Sequence, residues 1–365
     1  MTMRAPHSIL LTGATGLLGR DVLDRLLAAD ARARVFVLVR DAERWGQGAG
    51  HLVDVERITP VVGDLRTSGL GLDVWARQQL RRSVTGIVHL AADTTFSRPL
   101  ADARAVNTEG TRRVLELAAE CASPVRVAYV STAFVAGRRA GVIGESDGEH
   151  TAGWANAYEQ SKYEAEALVR AHAADWVILR SSTIVCDDVR GQVTQLNAVH
   201  RALQLYRNGL AAMMPGVAGS TIDAVTTSYV GRAVADLAFR DELSRRAVHL
   251  CAGTGALPLG ELLDITWERW ATDPAWRRRG IPRPALADLQ TYALFERSVE
   301  QVGEPSLKRV TRALSHFVPQ LALPKRFETT TADALVGRAP AVRDFWLPML
   351  DCLTATNWGG ARRAA

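Results

Sequence analysis

The sequence predicts an α/β fold, a doubly wound parallel sheet followed by a smaller, mostly helical C-terminal substrate-binding region. Three observations carry that expectation. Continuous apolar strands alternate with helices through the first half of the chain, as in a parallel sheet covered on both faces. A glycine triplet separates the first strand from the first helix, where open α/β sheets bind their ligands. The strand–helix rhythm then changes near residue 190.

Taken in order, Ser8–Leu11 is a short apolar run. Leu17–Ala29 carries Leu17, Leu18, Val22, Leu26 and Leu27 at helical spacing. Strands are expected at Arg34–Val39, Ile58–Val62 and Gly86–Ala92. A helix over Ala101–Ala122, a strand over Val125–Ser131, a helix over Asn156–Ala171 and a strand over Asp175–Ser181 complete the pattern. Beyond it, Gln192–Gly209 and Ser228–Phe239 read as helices, Met213–Gly219 as a loop and Ala247–Cys251 as a strand. Residues 258–365 read as short helices, proline turns and exposed tryptophans. Residues 1–190 are therefore assigned to a nucleotide-binding domain to which 221–252 return. Residues 191–365 form the partly interwoven substrate-binding region.

The chain has 365 residues, 47% apolar and 23% charged, the composition of an ordinary globular enzyme. No apolar run approaches the roughly 18 residues of a membrane span. The start, Met1 to His7, leads into a strand rather than a secretory leader, so a cytoplasmic protein is expected. The four cysteines, Cys121, Cys186, Cys251 and Cys352, lie far apart with no metal-ligand spacing. They read as four buried thiols, with no disulfide framework and no metal site. The net charge of +5 is dispersed without aromatic interleaving, which argues against nucleic acid. Only three of the 44 basic residues are lysine, and Lys162 is alone in the first 300.

The segment Thr12-Gly13-Ala14-Thr15-Gly16-Leu17-Leu18-Gly19 follows the first strand and opens the first helix. Gly13 allows a tight turn, Gly16 a close backbone approach to a pyrophosphate, and Gly19 close helix–strand packing. The bare N–H groups of Thr15, Gly16, Leu17 and Leu18 would face the phosphates. The spacing G-x-x-G-x-x-G differs from the usual G-x-G-x-x-G, but its place between strand and helix reads as a Rossmann dinucleotide loop, with a merely structural turn as the alternative. The second strand ends at Arg40, where a permanent cation suits a 2′-phosphate, so NADPH is favoured over NADH. A solvated Arg40 paired with Asp41 is the plainer alternative. Asp64 and Leu65 end the third strand near the expected adenine site. Ala91 and Ala92 end the fourth, where small side chains leave room for the dinucleotide.

Tyr158 and Lys162 share one face of a helix at i,i+4 spacing. An ammonium beside a tyrosine lowers its pKa and makes it a usable acid. A compact ammonium also suits the nicotinamide ribose better than a guanidinium, which answers why Lys162 is a lysine. The hydroxyl of Thr132, at the end of the preceding strand, is the candidate for binding the substrate oxygen.

These residues together resemble the extended short-chain dehydrogenase/reductases, with matches over about residues 8–250. The branch most resembled is the male-sterility or fatty acyl-CoA reductase branch, which includes thioester reductase domains. The resemblance rests on Thr12–Gly19, Leu38–Arg40, Val88–Phe96 (VHLAADTTF), Ser131–Val135 (STAFV), Tyr158–Glu166 (YEQSKYEAE) and Lys325–Thr330 (KRFETT). It implies catalytic roles for Thr132, Tyr158 and Lys162, and NADPH as donor. It also implies that Arg180, Ser181, Ser182 and Thr183 approach the nicotinamide, with Ser181 standing where the branch usually has proline. The implied reaction is reduction of an acyl thioester, on coenzyme A or an acyl carrier protein, to an aldehyde or further to an alcohol. The alternative is an extended ketone, alcohol or sugar-nucleotide enzyme using the same triad, or a non-catalytic nucleotide sensor. The apolar segment Met213–Ala218 favours an acyl ligand, although methionines also fill cores. Arg277-Arg278-Arg279 reads either as a solvated turn or as a contact for a phosphopantetheine or carrier.

Overall fold

The computed structural model describes residues 8–48, 55–211, 213–217, 219–315 and 318–359. Met1–His7 and Ala218 therefore lie outside the described residues. The first half alternates as the apolar runs require: β1 (Ser8–Thr12), α1 (Leu17–Ala29), β2 (Arg34–Val39), α2 (Ala42–Gly48), β3 (Ile58–Val62), α3 (Val74–Ser83) and β4 (Gly86–His89). It continues through α4 (Leu100–Glu120), β5 (Arg126–Thr132), β6 (Gly141–Ile143), α5 (Ala157–Ala171) and β7 (Asp175–Ser181).

Seven parallel strands form the central sheet, in the order Arg246–Leu250, β7, β5, β4, β1, β2, β3. The order reverses between β1 and β4, so a crevice opens at their carboxyl ends, the place where such sheets bind ligands. Every residue of β5 is buried, which is why the central strands read as unbroken apolar runs. Val22 of α1 and Val230 of the helix Thr227–Leu237 cover one face. Leu80, Val114 and Ala165, from α3, α4 and α5, cover the other. α1 and the helix Thr227–Leu237 cross at Gly231, where a Cβ would stand 1.7 Å from Asp21 Oδ2. The strand Lys325–Phe327 pairs in parallel with β6, outside the main sheet.

Several expectations are corrected. β4 stops at His89, so Leu90–Ala92 are loop. The helix expected at 192–209 spans only Ala198–Arg207, because Asn197 caps it by accepting from the N–H groups of Val199 and His200. Met213–Pro215 is a strand paired with Ala285–Ala287, not a loop. The expected exposed tryptophans are mostly interior. Trp270, Trp276, Trp346 and Trp358 are all buried, and their indole N–H groups find partners where the chain supplies them. Trp276 donates to Arg207 O (2.9 Å) and Trp346 to Thr266 Oγ1 (2.9 Å). Of the cysteines, Cys186 and Cys251 are buried but Cys121 and Cys352 are half-buried, and all four are free.

Candidate active site

The glycine loop is shaped by close approach. Gly13 has φ +80°, and a Cβ there would lie 2.8 Å from Ala91 N. At Gly19 a Cβ would fall 2.0 Å from Gly13 O. Gly16 is the N-cap of α1 and brings no side-chain cap, and the first turn carries no acidic residue. The Gly16 N–H, expected to be bare, donates to Gly13 O (3.0 Å), so it is the next N–H groups, from Leu17 on, that stand at the positive end of the helix as an anionic pyrophosphate needs. Ala91 N donates to Thr12 Oγ1 (3.2 Å), which sets the fourth strand's exit against the loop.

Arg40 is exposed at the end of β2 and forms no ion pair with Asp41 among the described residues. Asp41 instead accepts the Arg44 N–H (3.0 Å) at the start of α2. Asp64 lies in an exposed ion pair after β3. Arg66 holds its carboxylate through Nη2 at 2.8 Å and lowers its pKa. Leu65 is turned into the core beside Gly110, and its carbonyl accepts from Arg113 Nη1 (2.7 Å).

Thr132 ends β5, and Tyr158 and Lys162 enter from the first turns of α5. Burial pushes the Tyr158 phenol up to about 12, against the opposing pull of the nearby Thr132 hydroxyl, whose Oγ1 accepts the Phe134 N–H (3.2 Å). The expected lowering by Lys162 is absent in the chain alone. Lys162 Nζ donates instead to Val130 O (2.9 Å) and lies 4.1 Å from the centre of the Tyr129 ring. Burial pulls the Lys162 ammonium down to about 7, against the opposing pull of Glu166.

Three neighbours escape sequence reasoning. Asn107, buried in α4, accepts from Asp93 N (2.8 Å) and donates to Asp93 O (3.0 Å) and Ser161 Oγ (2.9 Å). It thereby ties the loop after β4 to α5. His89 lies between Thr12 Oγ1 (2.6 Å) and Thr111 Oγ1 (3.0 Å), and burial drives its pKa to about 3, so its ring stays neutral. Phe96 stacks on Tyr158 with ring centres 5.3 Å apart. Asn107 carries no spacing signal, whereas His89 and Phe96 lie within the segment Val88–Phe96, which gives no hint of the side chains they meet.

At the end of β7, Arg180 points away from the crevice into an ion pair with Glu166 (2.8 Å), both side chains 3% exposed. Ser181 Oγ donates to Ser182 O (2.9 Å). Asp223 steadies the facing turn by accepting from Ala252 N (2.8 Å) and Gly253 N (2.9 Å). In the basic segment only Arg279 reaches back to the protein, donating to Arg207 O and Asn208 O. No helix among the described residues is long and apolar enough to cross a membrane.

The family model described as the male sterility protein, an NAD-binding model, matches residues 11–234. The isonitrile lipopeptide synthase of Streptomyces coeruleorubidus is 37% identical over 183 residues, 46% of this chain and 12% of that protein. The fatty acyl-CoA reductase wat of Drosophila melanogaster is 25% identical over 207 residues, 45% of this chain and 40% of that protein. The chain thus spans well under two thirds of the length of these relatives. Among solved structures, the terminal R domain of the myxalamid PKS-NRPS pathway superposes with a TM-score of 0.78 at 25% identity, over 98% of this chain and 92% of that one. A thiolation-reductase di-domain from an archaeal non-ribosomal peptide synthetase has the same fold, with a TM-score of 0.72 at 18% identity over 97% and 76% of the two chains. With the family model covering most of the sheet and its crevice, the chain belongs to the male sterility protein family, NAD(P)-dependent oxidoreductases with the extended short-chain dehydrogenase/reductase fold.

Proposed function

We propose that this chain is an NADPH-dependent reductase of acyl thioesters, borne on coenzyme A or an acyl carrier protein. The observation that carries the reading is the bond from Lys162 Nζ to Val130 O (2.9 Å), which fixes α5, with Tyr158 one turn earlier, beside the carboxyl end of β5 where Thr132 stands. Two hydroxyls there can both turn to one carbonyl oxygen and stabilise the charge that develops on it. The names of the relatives, reductases of fatty acyl-CoA among them, support a thioester as the carbonyl.

The residues present fit a dinucleotide. Its pyrophosphate would be held by the backbone of Gly13, Thr15, Gly16, Leu17 and Leu18, with Ala91 and Ala92 leaving space. Arg40, free of Asp41, would meet a 2′-phosphate, which is the ground for NADPH over NADH. Ser181 and Ser182 would border the nicotinamide, and Lys162 its ribose. Asp64 and Leu65 are less suited than the sequence suggested, since Arg66 and the core already engage them. Bound there, a reduced nicotinamide supplies hydride to the carbonyl carbon.

The protein's own part is proton management and orientation. With its pKa near 12, Tyr158 holds its proton at neutral pH and serves as donor to the oxygen, not as a base. Loss of the thiol from the resulting hemithioacetal would give an aldehyde.

The test is a panel of lauroyl-CoA, a ketone and UDP-glucose with NADPH and NADH, following nicotinamide absorbance and released thiol. Thiol released in step with NADPH oxidation is the expected result. Oxidation with the ketone alone, or none with the thioester, overturns the reading in favour of the ketone or sugar-nucleotide relatives.

A further inference from the structure

Glu159 follows Tyr158 in the first turn of α5, yet its carboxylate is only 1% exposed. Its Oε2 accepts the Ala155 N–H (2.7 Å), while its own N–H donates to Asn156 Oδ1 (3.0 Å). That pair of bonds locks the turn from which the Tyr158 side chain departs. The other oxygen, Oε1, accepts from Gln320 Nε2 (2.5 Å), a residue of the short helix Val318–Ala322. Burial raises the pKa of the Glu159 carboxyl, opposed by the Gln320 and Ala155 bonds and by the charges of Lys325 and Arg138. Lys325, 8% exposed at the start of the strand paired with β6, forms no direct ion pair with it among the described residues.

This C-terminal segment is fastened on the site side of the fold at several points. Gly141 N donates to Pro324 O (2.8 Å), Glu328 N to Ile143 O (2.9 Å), and Thr221 Oγ1 to Lys325 O (2.6 Å). A carboxylate and an ammonium are costly to bury. Here both are buried together where the first turn of α5 meets the C-terminal segment.

We propose that Glu159, Gln320 and Lys325 form a strap through which the C-terminal segment sets the first turn of α5, making Glu159 a positioning residue for the Tyr158 hydroxyl. The proposal rests on the reading of Tyr158 as the proton donor. It assigns residues 320–325 a part in the chemistry without any contact to substrate. The strap transmits order from the cover to the acid: when Gln320 and Lys325 are seated, the turn is held and the phenol stands near Thr132.

The test uses the full chain and the variants Gln320→Ala, Lys325→Met, Glu159→Gln and Glu159→Ala. Amide exchange of the 154–162 peptide is measured without nucleotide or substrate, so it stands whatever the reaction proves to be. Gln320→Ala and Lys325→Met should speed that exchange about tenfold, the size of one lost bond to a buried charge. In turnover, kcat should fall about tenfold with the NADPH dissociation constant unchanged, and Glu159→Gln should retain more activity than Glu159→Ala. Should Glu159→Ala fail to fold, the two C-terminal variants decide alone. Unchanged exchange at 154–162 in both of them overturns the strap. So does lowered melting temperature with unaltered kcat, which would make the contact structural only. A wild type that releases no thiol from any thioester overturns the proposed reaction, while the exchange result still decides the strap.

Discussion

At the scale of single residues, the proposed chemistry turns on the half-buried Tyr158 and the buried Lys162, whose proton affinities move in opposite directions. Burial raises Tyr158 to about 12 and lowers Lys162 to about 7. Tyr158→Phe removes the proton donor but not the ring that stacks on Phe96, so turnover should fall about a hundredfold or more while NADPH still binds. Initial rates and fluorescence titration check this, and unchanged turnover removes Tyr158 from the reaction. For Lys162 the unfolded chain, with a pKa near 10.5, holds a proton that the folded chain gives up between pH about 7 and 10.5. The unfolded state binds more protons in that window, so this group makes stability rise with pH across it. Melting temperatures of wild type and Lys162→Met from pH 7 to 9 should show that rise flattened in the variant. Arg40→Ala should weaken NADPH by about 1.5–3 kcal/mol and leave NADH nearly untouched, the size of a bond to a charged group. Dissociation constants for both nucleotides settle it, and an unmoved ratio sinks the NADPH assignment.

At the scale of elements, the sequence was most legible where a physical constraint repeats. Leu17–Ala29, Arg34–Val39, Ile58–Val62 and Asp175–Ser181 match the structure at both ends. Each is bounded by a glycine, a charge or a turn; Arg34–Val39 and Asp175–Ser181 are buried almost throughout, whereas the edge strand Ile58–Val62 buries only Ile58 and Val61. α3 went unread because it buries only Ala76 and Leu80, too thin a stripe to show against its arginines and glutamines. The helix Ala198–Arg207 was overextended because its capping asparagine lies inside an apolar-looking run. Of the proposed site, the spacing of Tyr158 and Lys162, the rarity of lysine and the strand-end place of Thr132 were legible in the sequence. The place of Asn107 was not, since tertiary contact alone gives it, and Phe96 was visible only as part of Val88–Phe96, without its stacking on Tyr158. The glycine loop offers a direct test at this scale. Gly19→Ala would drive a Cβ into Gly13 O, 2.0 Å away. Because backbone cannot swing aside as a side chain can, nucleotide binding should be lost before the fold is. Circular dichroism beside NADPH titration would show it, and normal affinity would mean that the loop yields.

At the scale of the whole molecule, one buried ion pair joins parts far apart in sequence. Arg180 of β7 meets Glu166 of α5, its Nη2 donates to Asp147 O (2.9 Å), and its Nη1 lies 3.4 Å from His249 Nε2. Glu166→Ala would strand that guanidinium in the interior, and about 3–5 kcal/mol of stability should go with it. Urea midpoints report the loss, and a change below about 1 kcal/mol would mean that water reaches Arg180.

The pairing of β6 with the strand Lys325–Phe327 has a consequence in time as well as in space. A ribosome adding 5–20 residues per second needs on the order of 10–40 s to travel from one strand to the other. Through that interval β6 is a finished edge without its neighbour, and the first turn of α5 lacks Gln320 and Lys325. The glycine loop and the Thr132, Tyr158 and Lys162 side chains are thus all made before the segment that holds the first turn of α5 arrives. A stalled or truncated chain would then sequester nucleotide without consuming it.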